Sequence, residues 1–234
     1  METSTLLGTY QKWNLAGWAT EGNYYLLIMV IGGDTGSERF AHLTAGLFLF
    51  YFITNSMMAG SKSITSGGKL VLNSAFPRLI LPISATVISF FKFLPTFFIL
   101  GFIHLILGLP IGPELFYLVP VLLASIIFAL GIAILTSILN VYFRDTRNFL
   151  PYFTRAWLYL SPVLYTAEQL QPALKPISFL NPLYTFIGSW TDILIKGIAP
   201  TVANFVTIFS WAIALLLIAV FMFMRREREF ALRI

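Results

Sequence analysis

An all-α, polytopic membrane helical bundle of five to six spans, with short re-entrant or interfacial helices on the external side, is the fold class the sequence predicts. Three observations predict it. Of 234 residues 58% are hydrophobic and only 11% charged, with mean hydropathy +0.83, whereas a soluble domain has about a quarter of its residues charged. Apolar runs recur at about the 20 residues that cross roughly 30 Å of hydrocarbon as a helix. Lys and Arg gather at the ends of those runs, the pattern of basic residues retained on the cytoplasmic side. The net charge of +5 therefore reads as topology and not as nucleic-acid binding. There is no room for a sizeable soluble domain, so residues 1–234 read as a single transmembrane domain. No Cys is present, which excludes disulfides, thiolate metal sites and a thiol nucleophile.

Met1 to Tyr10 lacks the basic and apolar pattern of a secretory signal. Between Trp13 and Ile31 hydrophobicity is diluted by Asn14, Thr20, Glu21 and Asn23, and Glu21 in a lipid-exposed helix would cost a few kcal/mol. This region reads as an interfacial segment followed by a short or partial first span, Tyr24 to Ile31. Gly32 to Arg39 is a polar turn. A phosphate loop needs Gly-x-x-x-x-Gly-Lys-(Ser/Thr); that pattern is absent here, and Gly67-Gly68-Lys69 also fails it, because Leu70 follows. Ala41 to Met58 is a strong span. Ser61 to Arg78 carries Lys62, Lys69 and Arg78 and no acid, which assigns it to the cytoplasm. Ile64, Leu70, Val71 and Leu72 give that loop an apolar side and room for a short helix against the membrane.

Leu79 to Leu109 reads as one tilted helix bent near Pro82 and Pro95, ended externally by the turn from Gly108 to Glu114. Leu115 to Leu139 returns to a charged knot, Asn140 to Asn148. Asn148 to Tyr165 leads out again and stops at Ser161-Pro162. From Glu168 to Pro200, Pro172, Pro176 and Pro182 interrupt apolar pieces such as Leu183 to Ile187, too short to span. Val202 to Met224 is the last span, stopped in the cytoplasm by Arg225-Arg226-Glu227-Arg228.

Tyr142-Phe143-Arg144-Asp145, then Ser161-Pro162-Val163-Leu164-Tyr165, then Asn181-Pro182-Leu183 follow in an order that resembles the permease subunits of type-2 ABC exporters, in their O-antigen and teichoic-acid branch. Phe76-Pro77-Arg78 and Leu81-Pro82 extend the resemblance, which runs from about Gly46 to the C-terminus. Each motif is short; their order and spacing carry the specificity. The family has an amphipathic helix and a full first span ahead of Tyr24, so the chain either starts late or departs from the pattern there. The resemblance implies a bacterial cytoplasmic-membrane permease with its C-terminus in the cytoplasm. It would pair with a second copy of itself and export a lipid-linked polysaccharide. This chain would hold no cofactor and no catalytic site; ATP and Mg would bind a separate soluble ATPase subunit.

Residue by residue, the resemblance matches Ser61 to Asn73 to the coupling helix that docks on the ATPase, with Ser61, Lys62, Ile64, Lys69, Leu70 and Asn73 as its candidates. Without the family, an ordinary topogenic loop is the simpler reading. Tyr142, Arg144, Asp145 and Arg147 would form a cytoplasmic gate near the substrate entrance, Arg144 and Asp145 as a local ion pair. Ser161, Pro162, Tyr165, Asn181 and Pro182 would form the external gate. An Arg that the family tends to carry after Asn-Pro is replaced here by Trp190-Thr191-Asp192, so no contact is carried over to it.

The residues alone point to a substrate path in two places. Arg155 stands about eleven residues, or roughly 16 Å, beyond Arg144 along a helix, and an intramembrane charge is by default a functional candidate. Tyr152, Arg155, Tyr159 and Pro162 recur at helical spacing and give one face with hydroxyls and a cation. The plain alternative is an Arg that snorkels to the interface or pairs with an acid. Phe90, Phe93, Phe97, Gly101 and His104 share another helical face. Rings stack on sugars, yet such a stripe is more often helix packing or lipid contact, with Gly101 allowing close approach. His104 has no ligand partner at metal spacing. Lys92, on a different face, reads as a subunit contact or a snorkelled stem.

Three other readings compete with this one. A permease of the same fold for a drug or smaller lipid would have a narrow path. A membrane enzyme acting on lipid-linked sugars would need paired carboxylates or a His-acid set at one membrane face, for which Asp34 and Glu38 are the candidate pair. A secondary transporter would show repeated halves, which are not evident.

Overall fold

The structure, a computed structural model, describes residues 36–67, 77–165 and 180–233. The chain divides into two compact units, 1–40 and 41–234. Of the first, only residues 36–40 are described; the described site residues all belong to the second. The helices are α1 (Ser37–Ser63), α2 (Ile80–Phe93), α3 (Pro95–Leu107), α4 (Leu118–Tyr142), α5 (Thr146–Leu160), α6 (Pro182–Thr191) and α7 (Val202–Arg233). A 3-10 turn, Pro113–Tyr117, precedes α4, and a π-helical turn, Asp192–Lys196, prolongs α6. Among the described residues there is no strand.

Among the described residues, four stretches are long and apolar enough to cross a membrane: Glu38–Ser63, Ile80–Leu107, Pro113–Tyr142 and Val202–Glu227. They match the spans expected from Ala41, Leu79, Leu115 and Val202. The predicted bend falls at Pro95 alone. Pro95 lacks the N–H that would continue α2, so it opens α3 directly after Leu94. Pro82 lies in the first turn of α2, where backbone N–H groups have no intrahelical partner to lose. Gly108, at φ +61°, ends α3 in the left-handed conformation.

The expected fifth span is shorter than predicted. α5 has 15 residues, about 22 Å at 1.5 Å per residue, against roughly 30 Å of hydrocarbon. Its end is local: Ser161 is extended (φ −102°, ψ 149°), as the residue before a proline prefers. The partial first span Tyr24 to Ile31 lies outside the described residues.

α4 is the centre of the bundle. On one side Gly60 of α1 comes so close that a Cβ there would lie 2.6 Å from Ala133 Cα. On another, a Cβ on Gly131 would lie 2.9 Å from the Leu216 nitrogen of α7. Small residues at a crossing let helix backbones approach, the common device where lipid removes any hydrophobic drive to associate. The Thr136 hydroxyl lies 3.0 Å from the Met57 carbonyl on α1 and 2.8 Å from Ile132 O of its own helix. Because the single proton is shared, Thr136→Val should cost only about 0.6 kcal/mol, the average for interhelical bonds in a membrane bundle; denaturant unfolding in mixed micelles measures it. The outer stretches Ile80–Leu107 and Val202–Glu227 are each only 17% buried, against 61% for Glu38–Ser63. Gly101, expected at a close helix approach, has nothing within 4 Å of a built Cβ; it faces away from the bundle.

Candidate functional site

At one end of the bundle Asn181 joins α5 to α6. Its position follows from local sequence: Asn181 caps α6, with Pro182 at the first helical turn, and its side-chain oxygen accepts from Leu183 N at 3.1 Å. The same oxygen accepts from Trp157 Nε1 at 2.9 Å. The amide nitrogen donates to Leu160 O at 2.9 Å and to Ser161 Oγ at 3.2 Å. Ser161 in turn donates to Trp157 O at 2.7 Å, and Tyr165 donates its hydroxyl to Leu160 O at 3.0 Å. The His42 ring, through Nε2, lies 3.2 Å from the Pro162 carbonyl. Ser161, Pro162, Tyr165, Asn181 and Pro182 thus come together as one knot of hydrogen bonds around the end of α5. Trp157 and His42 belong to it and were not among the expected residues. Trp157 has a legible signal, because Leu150, Trp157 and Leu158 are the buried side of α5 at i, i+7 and i+8.

The opposite side of α5 carries Tyr152, Arg155 and Tyr159. Tyr152 is 69% and Tyr159 57% exposed, and Arg155 is exposed between them. Pro162 leaves this face, because the helix has ended at Leu160 and Pro162 turns into the bundle. Arg155 lies nine residues into α5 from Thr146, about 14 Å along its axis.

The aromatic stripe turns inward. Phe93, 4% exposed, stacks on Phe52 of α1 with ring centres 5.1 Å apart. It meets Phe97 edge-on at 5.1 Å and Trp190 of α6 at 6.4 Å. Phe90 contacts Phe52 at 5.9 Å, and Phe97 contacts Trp190 at 6.0 Å. These are packing distances for aromatic pairs, so within one chain the stripe is a seam joining α1, α2, α3 and α6. Phe93 has no surface to offer a passing polymer. His104 is buried, its Nε2 3.0 Å from Pro110 O, bridging the turn after α3. Lys92 points away from the bundle.

The other end of the bundle carries the remaining expected residues. Lys69, Leu70 and Asn73 lie outside the described residues. Ser61 and Ile64 are fully buried, which corrects their expected place on a docking surface. Ser61 donates back to Met58 O at 2.8 Å within α1, and Ile64 packs in a cluster with Ile134, Ile138, Val141, Phe223 and Phe230. Ser61 lies in the last turn of α1 and Ile64 directly follows it, where the chain enters the bundle and its inner face must be apolar or internally satisfied. Lys62 is exposed, as are Arg144 and Asp145 in the turn between α4 and α5 and Arg147 in the first turn of α5. That turn is held by backbone bonds, Thr146 N to Phe143 O at 2.9 Å and Phe149 N to Asp145 O at 3.0 Å. Tyr142 donates to Glu229 of α7 at 2.5 Å, and Arg78 Nη1 to Glu227 O at 2.7 Å. The basic ends of all four apolar stretches therefore share one end of the bundle, as the spacing of charges along the chain predicts.

A family model described as "ABC-2 type transporter" matches residues 6–195. Two curated relatives, each described as "O-antigen export system permease protein RfbA" from Klebsiella pneumoniae, are similar in sequence. One is 24% identical over 175 residues, covering 74% of this chain and 68% of the relative. The other is 25% identical over 178 residues, covering 75% and 68%. The family match covers well over half the chain and the four apolar stretches give it a multi-pass membrane architecture, so the chain belongs to the ABC-2 type transporter family as one of its membrane components.

Proposed function

We propose that this chain is the channel-forming permease of an ABC exporter that carries a lipid-linked polysaccharide outward across the bacterial cytoplasmic membrane. The observation that carries the proposal is its similarity, over three quarters of its length, to permeases described as O-antigen export proteins. Two copies would enclose the path, and a separate soluble subunit would bind ATP and Mg; this chain lacks the glycine-rich loop that cradles nucleotide phosphates. The end of the bundle with Lys62, Arg78, Arg144 and Arg147 would face the cytoplasm and the ATPase, together with the C-terminus. The Tyr152, Arg155 and Tyr159 face, turned off its own bundle, would meet the substrate: a guanidinium for phosphate oxygens and phenol rings for sugars. The hydrogen-bonded knot at Asn181 would set the external closure.

Co-expression with a cognate ATPase subunit in an export-deficient cell tests this. Polysaccharide should reach the outside only when both subunits are present, and the isolated chain should hydrolyse no ATP. Arg155→Gln should lower export about tenfold, the worth of a charge-assisted hydrogen bond or two, while the complex still co-purifies. Robust hydrolysis by the chain alone, or full export through Arg155→Gln, contradicts the respective part. Movement of a small amphiphile in place of the polymer would return the permease to a different substrate class.

A further inference from the structure

The last two turns of α7 run past the apolar stretch that ends at Glu227, and they are tied down. Phe230 is fully buried, edge-on to Phe223 with ring centres 5.1 Å apart, in the cluster that also holds Ile64, Ile134 and Val141. Glu229 accepts from the Tyr142 hydroxyl, where α4 gives way to the charged turn. Arg226 lies 3.4 Å from the same carboxylate and 5.5 Å from the centre of the Tyr142 ring. Two residues before Glu229, Glu227 receives Arg78 twice: Nη1 on its carbonyl at 2.7 Å and the backbone N–H on its carboxylate at 3.4 Å. On the α1 side, Asn140 of α4 donates to Thr65 Oγ1 at 3.1 Å. Thr65 follows α1 and Arg78 precedes α2, so both flanks of one connection are pinned, the first to α4 and the second to α7. Glu229 closes the triangle by pinning α7 to α4.

We infer that the end of α7 is a latch, with Glu229 as the positioning residue that makes Thr65, Arg78 and the Tyr142–Arg147 turn move as one body. This rests on the exporter reading above. A push delivered by the ATPase subunit next to Arg78 would then reach the α4–α5 turn through Glu227, Glu229 and Tyr142. Coupling between distant sites is carried by contiguous hydrogen bonds, packed side chains and rigid helices, and the ties through Glu227, Glu229 and Tyr142 form such a set.

The test uses the assembled permease–ATPase complex reconstituted in vesicles and reads export per ATP hydrolysed. Export by the unsubstituted complex is the control for the exporter reading, so its failure is seen separately. Tyr142→Phe removes only the hydroxyl and keeps the ring; Glu229→Ala removes the acceptor. Each should lower export per ATP at least about fivefold, the lower range of coupling between sites. The double substitution should be no worse than either single one, because both break the same tie. An unchanged ratio in both single variants overturns the latch, as do losses that multiply in the double variant. A complex that loses assembly while the surviving fraction keeps its ratio also overturns it, since the tie would then be structural only.

Discussion

Asn181→Leu is expected to lower the unfolding free energy by about 3 kcal/mol, with the loss concentrated where α5 meets α6. Leucine keeps the volume and removes every polar contact of the amide: two acceptances, from Leu183 N and Trp157 Nε1, and two donations, to Leu160 O and Ser161 Oγ. Loss of a helix cap costs about 1 kcal/mol, and a buried donor left without a partner costs roughly 1–3 kcal/mol; Trp157 is only 8% exposed. The Leu160 carbonyl keeps the Tyr165 hydroxyl, so its share of the loss is small. Asn181→Asp retains both acceptances and loses the donations, and should fall about midway. Thermal or denaturant unfolding in detergent measures both. A change below about 1 kcal/mol in the Leu variant would mean that water takes over the contacts of the amide.

Gly60→Val is the second large effect, expected at about 3 kcal/mol or as failure to accumulate in the membrane. The added Cβ would lie 2.6 Å from Ala133 Cα and Cβ and 2.7 Å from its carbonyl oxygen. Those atoms are backbone or nearly so, and no side-chain rotation relieves the overlap. α1 and α4 must separate, which loses packing along the crossing and stretches the Thr136 contact to Met57 one turn away. Overpacking costs about 1–3 kcal/mol where side chains can adjust, so a backbone clash belongs at or above the top of that range. Gly101→Ala is the matched control: nothing stands within 4 Å of its Cβ, and alanine in a helix is favoured over glycine by about 1 kcal/mol. Were Gly60→Val tolerated as well as Gly101→Ala, the close crossing of α1 and α4 would be wrong.

The two glycines also show where sequence reading stops. Gly101 sits in an apolar helix among aromatic residues and reads as a close-packing position; Gly60 sits next to the polar loop and drew no such reading. In a soluble protein the polar face of a helix reveals which way its other face points. In a membrane helix all sides are apolar, because lipid and protein interior are alike to a Leu or a Phe. Periodicity then identifies a stripe without saying what covers it. Phe90, Phe93 and Phe97 were for this reason readable as a face, while helix packing, lipid contact and a polymer path could not be told apart.

Run length, prolines and charge placement are properties of the chain taken alone. They determined the helical class, the four long stretches, the break at Pro95, the stop at Ser161-Pro162 and the grouping of basic ends. Tertiary structure alone decided that Asn181 reaches back to Trp157, that Ser61 and Ile64 face inward, and that Glu229 finds Tyr142 across 87 residues. Each of those depends on helices meeting at a particular rotation, and that rotation is set by shape, by glycines that let backbones touch, after the hydrophobic pattern has nothing further to distinguish.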